Sequence, residues 1–184
     1  QYQQVLERKP LQFALILEAV DVHAEMAGLS AALDFCVEQA RILDRLGARP
    51  ESEKLLLHAL QKDENFIPAR VTLADLYREL GRTQATIEQM KILVQNATGK
   101  GNIEEAIKWL NQGIQIDHRR TEPRRRLAQL HLQNKQPAMA AEVWIQASQR
   151  QADDGRLSEA ESLLNEALCT KELLKQAASR YFLL

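Results

Sequence analysis

Five arginines, Arg119, Arg120, Arg124, Arg125 and Arg126, fall within eight positions, in the stretch that runs from Asp117 through His118 and Pro123 to Arg126. A guanidinium presents a planar fork of donors that fits carboxylate or phosphate oxygens two at a time, so such a cluster suits an acidic partner segment. The last three arginines fall where a helix begins, and cations there oppose the helix dipole by about 0.3–1 kcal/mol each at low salt. The excess of charge therefore needs a reason. One is the binding of an acidic segment. The other is pairing with neighbouring acids such as Glu104 or Glu142, together with ordinary solvation.

The remaining reactive side chains form no constellation. His23, His58, His118 and His131 lack the spacing of a metal pair on one helix, and neither Cys36 nor Cys169 has a Cys or His neighbour. Glu104 and Glu105 are adjacent carboxylates, but they lie in the first turn of a helix, where acids favour the dipole. No nucleophile, base and orienting group come together, and the glycines punctuate helix ends instead of forming a phosphate loop. The expectation is a protein with no catalytic residue, no metal site and no cofactor.

The charges nearly cancel, 24 basic against 25 acidic in 184 residues, whereas a nucleic-acid binder is usually basic overall, so no nucleic-acid partner is expected. No apolar run approaches the ~20 residues of a membrane span. Two isolated cysteines cannot build a disulfide framework and point to free thiols in a reducing, cytoplasmic setting. The chain begins and ends inside helical patterning, which points to a piece of a larger protein.

The elements that must position the arginines are helices. Ile103, Ala106, Ile107, Leu110 and Ile114 recur at three- and four-residue steps, one face of a 3.6-residue period. The pattern then repeats. Gly47, Gly101 and Gly155 are 54 residues apart, and around them align Leu56, Leu110 and Leu164, then Ala59, Gly113 and Ala167. Upstream, Leu73 to Tyr77 aligns with Leu127 to His131, and Asp21 to His23 aligns with Asp75 to Tyr77. Units of approximately 19–72, 73–126 and 127–180 follow, within a single domain of residues 1–184. Lys9-Pro10 reads as a helix break, Ser30 and Thr83 as helix caps, and Leu168 as the end of a helix before a further segment from Lys171. Tyr181 to Leu184 forms an apolar end left uncovered.

The stretch Gly101, Ala106, Leu110 and Gly113, closed by Asp117, resembles the second helix of a tetratricopeptide (TPR) motif. Leu127, Ala128 and Leu130, then Ala140, Trp144 and Ala147, resemble the two helices of the next. The resemblance implies an all-α, TPR-like solenoid, a right-handed superhelix of antiparallel helices, here about ten or eleven. TPR units hold two helices in 34 residues, but turn positions at 27, 47, 81, 101, 135 and 155 step by 20 and 34 in alternation. Each 54-residue unit therefore carries three helices, the middle one shared between two motifs. TPR domains that hold acidic chaperone tails use basic residues and Asn on successive first helices. Asp21, Asp75 and Gln129 stand at the equivalent sites, so that particular function is not supported.

The family implies a scaffold or adaptor presenting a helical-repeat surface to a protein or peptide partner, including one with an acidic segment bound at Arg119, Arg120, Arg124, Arg125 and Arg126. Self-association through uncapped ends is a further expectation. The alternatives are a sensor or regulatory module of a signalling enzyme or transcription regulator and, third, an RNA-reading helical repeat.

Overall fold

A computed structural model describes the backbone of residues 2–181 and the side chains of residues 13–171. Among the described residues there are nine helices and no strand. They are α1 (Tyr2–Ala27), α2 (Leu29–Arg45), α3 (Arg49–Lys62), α4 (Ile67–Glu79), α5 (Thr83–Gly99), α6 (Ile103–Ile116), α7 (Glu122–Gln133), α8 (Pro137–Asp153) and α9 (Leu157–Tyr181). α2, α5 and α8 start at 54-residue intervals, and so do α3, α6 and α9. The described residues form an all-α helical repeat with three helices per unit.

Two compact units divide the chain, residues 1–89 and 90–184. In the first, α2 packs on α1 and α3, and α4 packs on both α3 and α2. In the second, α7 joins α6 to α8, and α8 packs along α9. Turns this short fold successive helices back as antiparallel hairpins.

Glycine sets the turns for a physical reason. Gly47 has φ 76°, its N–H donates to the Asp44 carbonyl at 2.8 Å, and the Ala48 N–H donates to the Leu43 carbonyl at 2.8 Å. This is a Schellman ending, which needs a left-handed residue and supplies donors to the last helical carbonyls. The same pair of bonds recurs at Gly81, Gly101, Lys135 and Gly155. Lys135 is the non-glycine residue among them, with φ 57°.

A different device ends α3 and α6. Asp63 Oδ1 accepts the Asn65 N–H at 2.9 Å, and Asp117 Oδ1 accepts the Arg119 N–H at 3.1 Å. Each carboxylate turns the chain away from the helix by offering the backbone a competing acceptor.

The core follows the repeat. Leu55, Leu56 and Leu73 are fully buried in the first unit, and Ala128, Ala140, Trp144 and Leu163 cluster in the second. Burying one such leucine contributes about 1.5–3 kcal/mol. Ala106, Ala140 and Ala160 are buried, and their small side chains let backbones approach. One approach is marked by a hydrogen bond: Ser52 Oγ donates to the Ala40 carbonyl at 2.8 Å in the first unit. In the second unit Ser148, at the register of Ala40, donates to the carbonyl of Ala160, at the register of Ser52, also at 2.8 Å.

Several boundaries differ from expectation. α1 runs through Lys9-Pro10 without a break; proline removes one hydrogen bond there, and the rest of the helix continues past it. α9 runs past Leu168 as one helix, because Lys171 stands where Asp63 and Asp117 end α3 and α6 and cannot accept a backbone N–H. These two fusions leave nine helices among the described residues, against the ten or eleven expected. Ser30 and Thr83 are not caps but lie inside α2 and α5, and α2 starts after Gly28. The expectation of an uncovered apolar end at Tyr181 to Leu184 lies outside the described side chains.

Candidate protein-binding surface

The Asp117 turn and the start of α7 hold all five arginines, and the structure separates them into two kinds. Arg124 is buried, and its Nη1 donates to the His118 carbonyl at 2.8 Å and to the Arg120 carbonyl at 3.0 Å. It closes the turn from inside. Burial, and secondarily Arg150, hold the Arg124 guanidinium below the usual arginine range, opposed by Asp117. Arg124 is thus turned into the fold, unlike the exposed arginines on either side of it. Its place in the cluster reflects the repeat, since Arg70, also buried, donates to the Glu64 carbonyl and to Gln89 Oε1 in the first unit.

Arg120 is half-buried and pairs with Asp117 Oδ2 at 2.9 Å, so the carboxylate that ends α6 also holds one arginine of the cluster. Arg119, Arg125 and Arg126 are exposed. Their guanidinium groups make no hydrogen bond or ion pair among the described residues, with Glu104 and Glu142 or any other acid. Glu142 instead accepts from Gln146 at 3.2 Å.

The support beneath these three is firm. Gln151 of α8, almost wholly buried, donates from Nε2 to Thr121 Oγ1 at 2.7 Å and ties the turn to the next helix. Arg150, exposed and next to Gln151 in α8, adds its positive charge to the surroundings of Arg124. Sequence reading missed Arg150 because it lies 24 residues from Arg126 along the chain and meets the cluster only through the packing of α7 on α8. Thr121 makes no side-chain capping bond to α7, so the helix N-terminus carries Arg124, Arg125 and Arg126 against a single acid in its first turn, Glu122.

Histidines play structural parts. His131 is buried, with Nδ1 2.9 Å from Gln136 Oε1, and His23 stacks on Phe35 with ring centroids 4.2 Å apart. Tyr77, at the same register, donates to Glu53 Oε1 at 3.0 Å, and burial, then this bond and the Glu53 charge, push its phenol up to about 12. Cys36 is buried, and burial, with Asp21, pushes its thiol up to about 11. Cys169 is exposed. Among the described residues no three His, Cys, Asp or Glu side chains gather as metal ligands, and no helix is long and apolar enough to cross a membrane.

No protein-family model and no curated protein matches the sequence. Among solved structures the chain is similar to TTC0263, a thermophilic TPR protein of Thermus thermophilus. The identity is 18% over 81% of this chain and 96% of that one, with a TM-score of 0.33. It is similar to YrrB, a TPR protein with an unusual peptide-binding site, at 13% identity over 90% and 97%, with a TM-score of 0.35. It is also similar to a putative kinesin light chain of Podospora anserina with nearly identical TPR-like repeats, at 16% identity over 92% and 95%, with a TM-score of 0.40.

Proposed function

We propose that this chain is a protein-interaction scaffold, one repeat domain of a larger protein, whose second unit binds an acidic segment of a partner through Arg119, Arg125 and Arg126. The observation that supports it is the division of the cluster. Two arginines of the five have intramolecular partners, while the guanidinium groups of three are exposed and, among the described residues, unpaired, on a turn and helix start held by Arg124 and Gln151. Exposed like charges at a helix N-terminus oppose folding slightly, and an acidic ligand removes that opposition. Preorganised arginine forks then gain charge-assisted hydrogen bonds without reordering the backbone.

The protein catalyses nothing in this account and needs no metal or cofactor.

Fluorescence anisotropy with a labelled Glu- and Asp-rich peptide tests the main reading. Binding is expected to weaken steadily with salt, since the screening length falls from about 10 Å at 0.1 M to about 3 Å at 1 M. A single-stranded RNA that binds more tightly than the peptide at the same salt contradicts the acidic-protein reading.

A further inference from the structure

The outward face of α7 differs from that of α4, its counterpart in the first unit. On α4 this face carries Val71, Thr72, Asp75 and Arg78, and its polar groups are satisfied within the unit. Arg78 Nη2 and Asp75 Oδ1 form an ion pair of 2.8 Å along the helix, and Thr72 Oγ1 donates to the Pro68 carbonyl at 2.9 Å. On α7 the same positions hold Arg125, Arg126, Gln129 and Leu132, all exposed. The ion pair is gone. An amide stands in place of the aspartate, and an apolar side chain, 39% exposed, in place of the arginine.

Helix geometry relates these side chains. Arg125, Gln129 and Leu132 are spaced i, i+4 and i+7, which puts them on one stripe of α7. At about 1.5 Å of rise per residue, the apolar end of the stripe lies roughly 10 Å from its cationic end. Arg126 flanks that cationic end and Arg119 lies in the turn before it, against Glu122 as the acid of the first turn, so the end stays positive. A partner must therefore offer acid at one end and an apolar group roughly 10 Å away on the same side. An extended strand covers this distance in about three residues, but residues three apart point to opposite faces. A helix covers it in about seven, and residues seven apart share a face.

We infer that the acidic partner is an amphipathic helix lying along α7, its acidic residues on Arg119, Arg125 and Arg126 and a leucine-sized side chain, seven residues from an acid, on Leu132. This rests on the proposed function and names the chemistry of its partner. The charges draw the helix in and set its register. Leu132 then discriminates among acidic segments, because it gains a contact only where an apolar group stands at that spacing. Gln129, between the two ends, offers both a donor and an acceptor to a polar residue of the partner. The first unit does not hold the same helix, since Asp75 repels its acids and Arg78 stands where the apolar contact is made.

Isothermal titration with two alanine-rich helical peptides tests the inference. Both begin with the same run of glutamates; one carries a leucine seven residues after the last glutamate and the other a glutamine there. Wild-type protein is expected to bind the leucine peptide about fivefold more tightly, the scale of covering the exposed part of one leucine. Salt weakens both peptides but leaves their ratio unchanged, because an apolar contact is not screened. Leu132→Ala binds the two peptides equally. So does Gln129→Asp/Leu132→Arg, which copies the Asp75 and Arg78 pair of α4 and keeps a face that already folds in this chain. Equal affinity of wild-type protein for the two peptides overturns the inference, and so does a preference that survives in both variants; binding of the glutamine peptide in those cases leaves the arginine surface standing. A leucine placed three residues after the last glutamate that serves as well as one at seven overturns the helical register. Failure of both peptides to bind overturns the arginine surface together with the inference.

Discussion

Arg70 and Arg124 stand 54 residues apart, and each reaches back six residues to donate to a backbone carbonyl, that of Glu64 for Arg70 and that of His118 for Arg124. Each is a buried cation closing the turn that an aspartate opens, Asp63 in one unit and Asp117 in the other. Removing Arg124 leaves the His118 and Arg120 carbonyls without their donor, and each such loss costs about 1–3 kcal/mol. Arg124→Ala is therefore expected to lower the unfolding free energy by about 2–4 kcal/mol in urea titration. Arg125→Glu, exposed one residue on, changes it by less than about 1 kcal/mol, in the stabilising direction, because it places an acid near a helix N-terminus. Equal effects from the two variants contradict the division of the cluster.

Lys135 occupies the left-handed position that glycine fills at the other four turns of this kind. A side chain there carries a cost of roughly 1–2 kcal/mol. Lys135→Gly should raise the thermal midpoint by removing it, with a net gain of about 1 kcal/mol after the extra chain entropy of glycine. A lowered midpoint indicates that the lysine side chain has a stabilising contact.

The positions of these turns were legible from the spacing of Gly47, Gly81, Gly101 and Gly155, because a Schellman ending demands a residue free to adopt positive φ. The burial of Ala106 followed from its place on the apolar face that recurs at three- and four-residue steps. The ends of the chain were less legible. Pro10 reads as a stop, yet a long helix tolerates one missing donor, and the stop that fails at Lys171 depends on a side-chain acceptor whose role shows only when Asp63 and Asp117 are seen bonding the backbone. The arginine cluster was visible as charge, but sequence could not divide it. Arg124 differs from Arg125 only in which face of α7 it occupies, and the charge of Arg150 reaches Arg124 only once α8 packs on α7.

Tyr77 links stability to alkaline pH. Its phenol ionises near 10 when exposed and is pushed up to about 12 in the fold, first by burial and then by the bond to Glu53 and that carboxylate's charge. The folded state holds the proton more tightly, so this contribution is fully present below pH 10 and is lost as pH rises through 12. Unfolding titrations should show stability falling across that window, and Tyr77→Phe should flatten the fall attributable to this residue. An identical pH profile in the variant contradicts the assignment.

The two thiols should react at very different rates. Cys169 is exposed, whereas Cys36 is buried and its thiol is pushed up to about 11, which leaves little thiolate at neutral pH. Ellman's reagent is expected to titrate one thiol quickly in the native protein and the second only after unfolding. Fast reaction of both contradicts the packing of α2.

Arg119, Arg125 and Arg126, beside the turn that Arg124 closes, are the surface proposed for an acidic partner. Isothermal titration of a Glu- and Asp-rich peptide into wild-type protein and into the Arg125→Glu/Arg126→Glu variant tests it most directly, with thermal unfolding recorded on the same samples. The variant is expected to lose at least about tenfold in affinity, the scale of one charge-assisted hydrogen bond, with an unchanged or slightly raised melting temperature. Unchanged affinity, or a clear drop in melting temperature with binding retained, contradicts it.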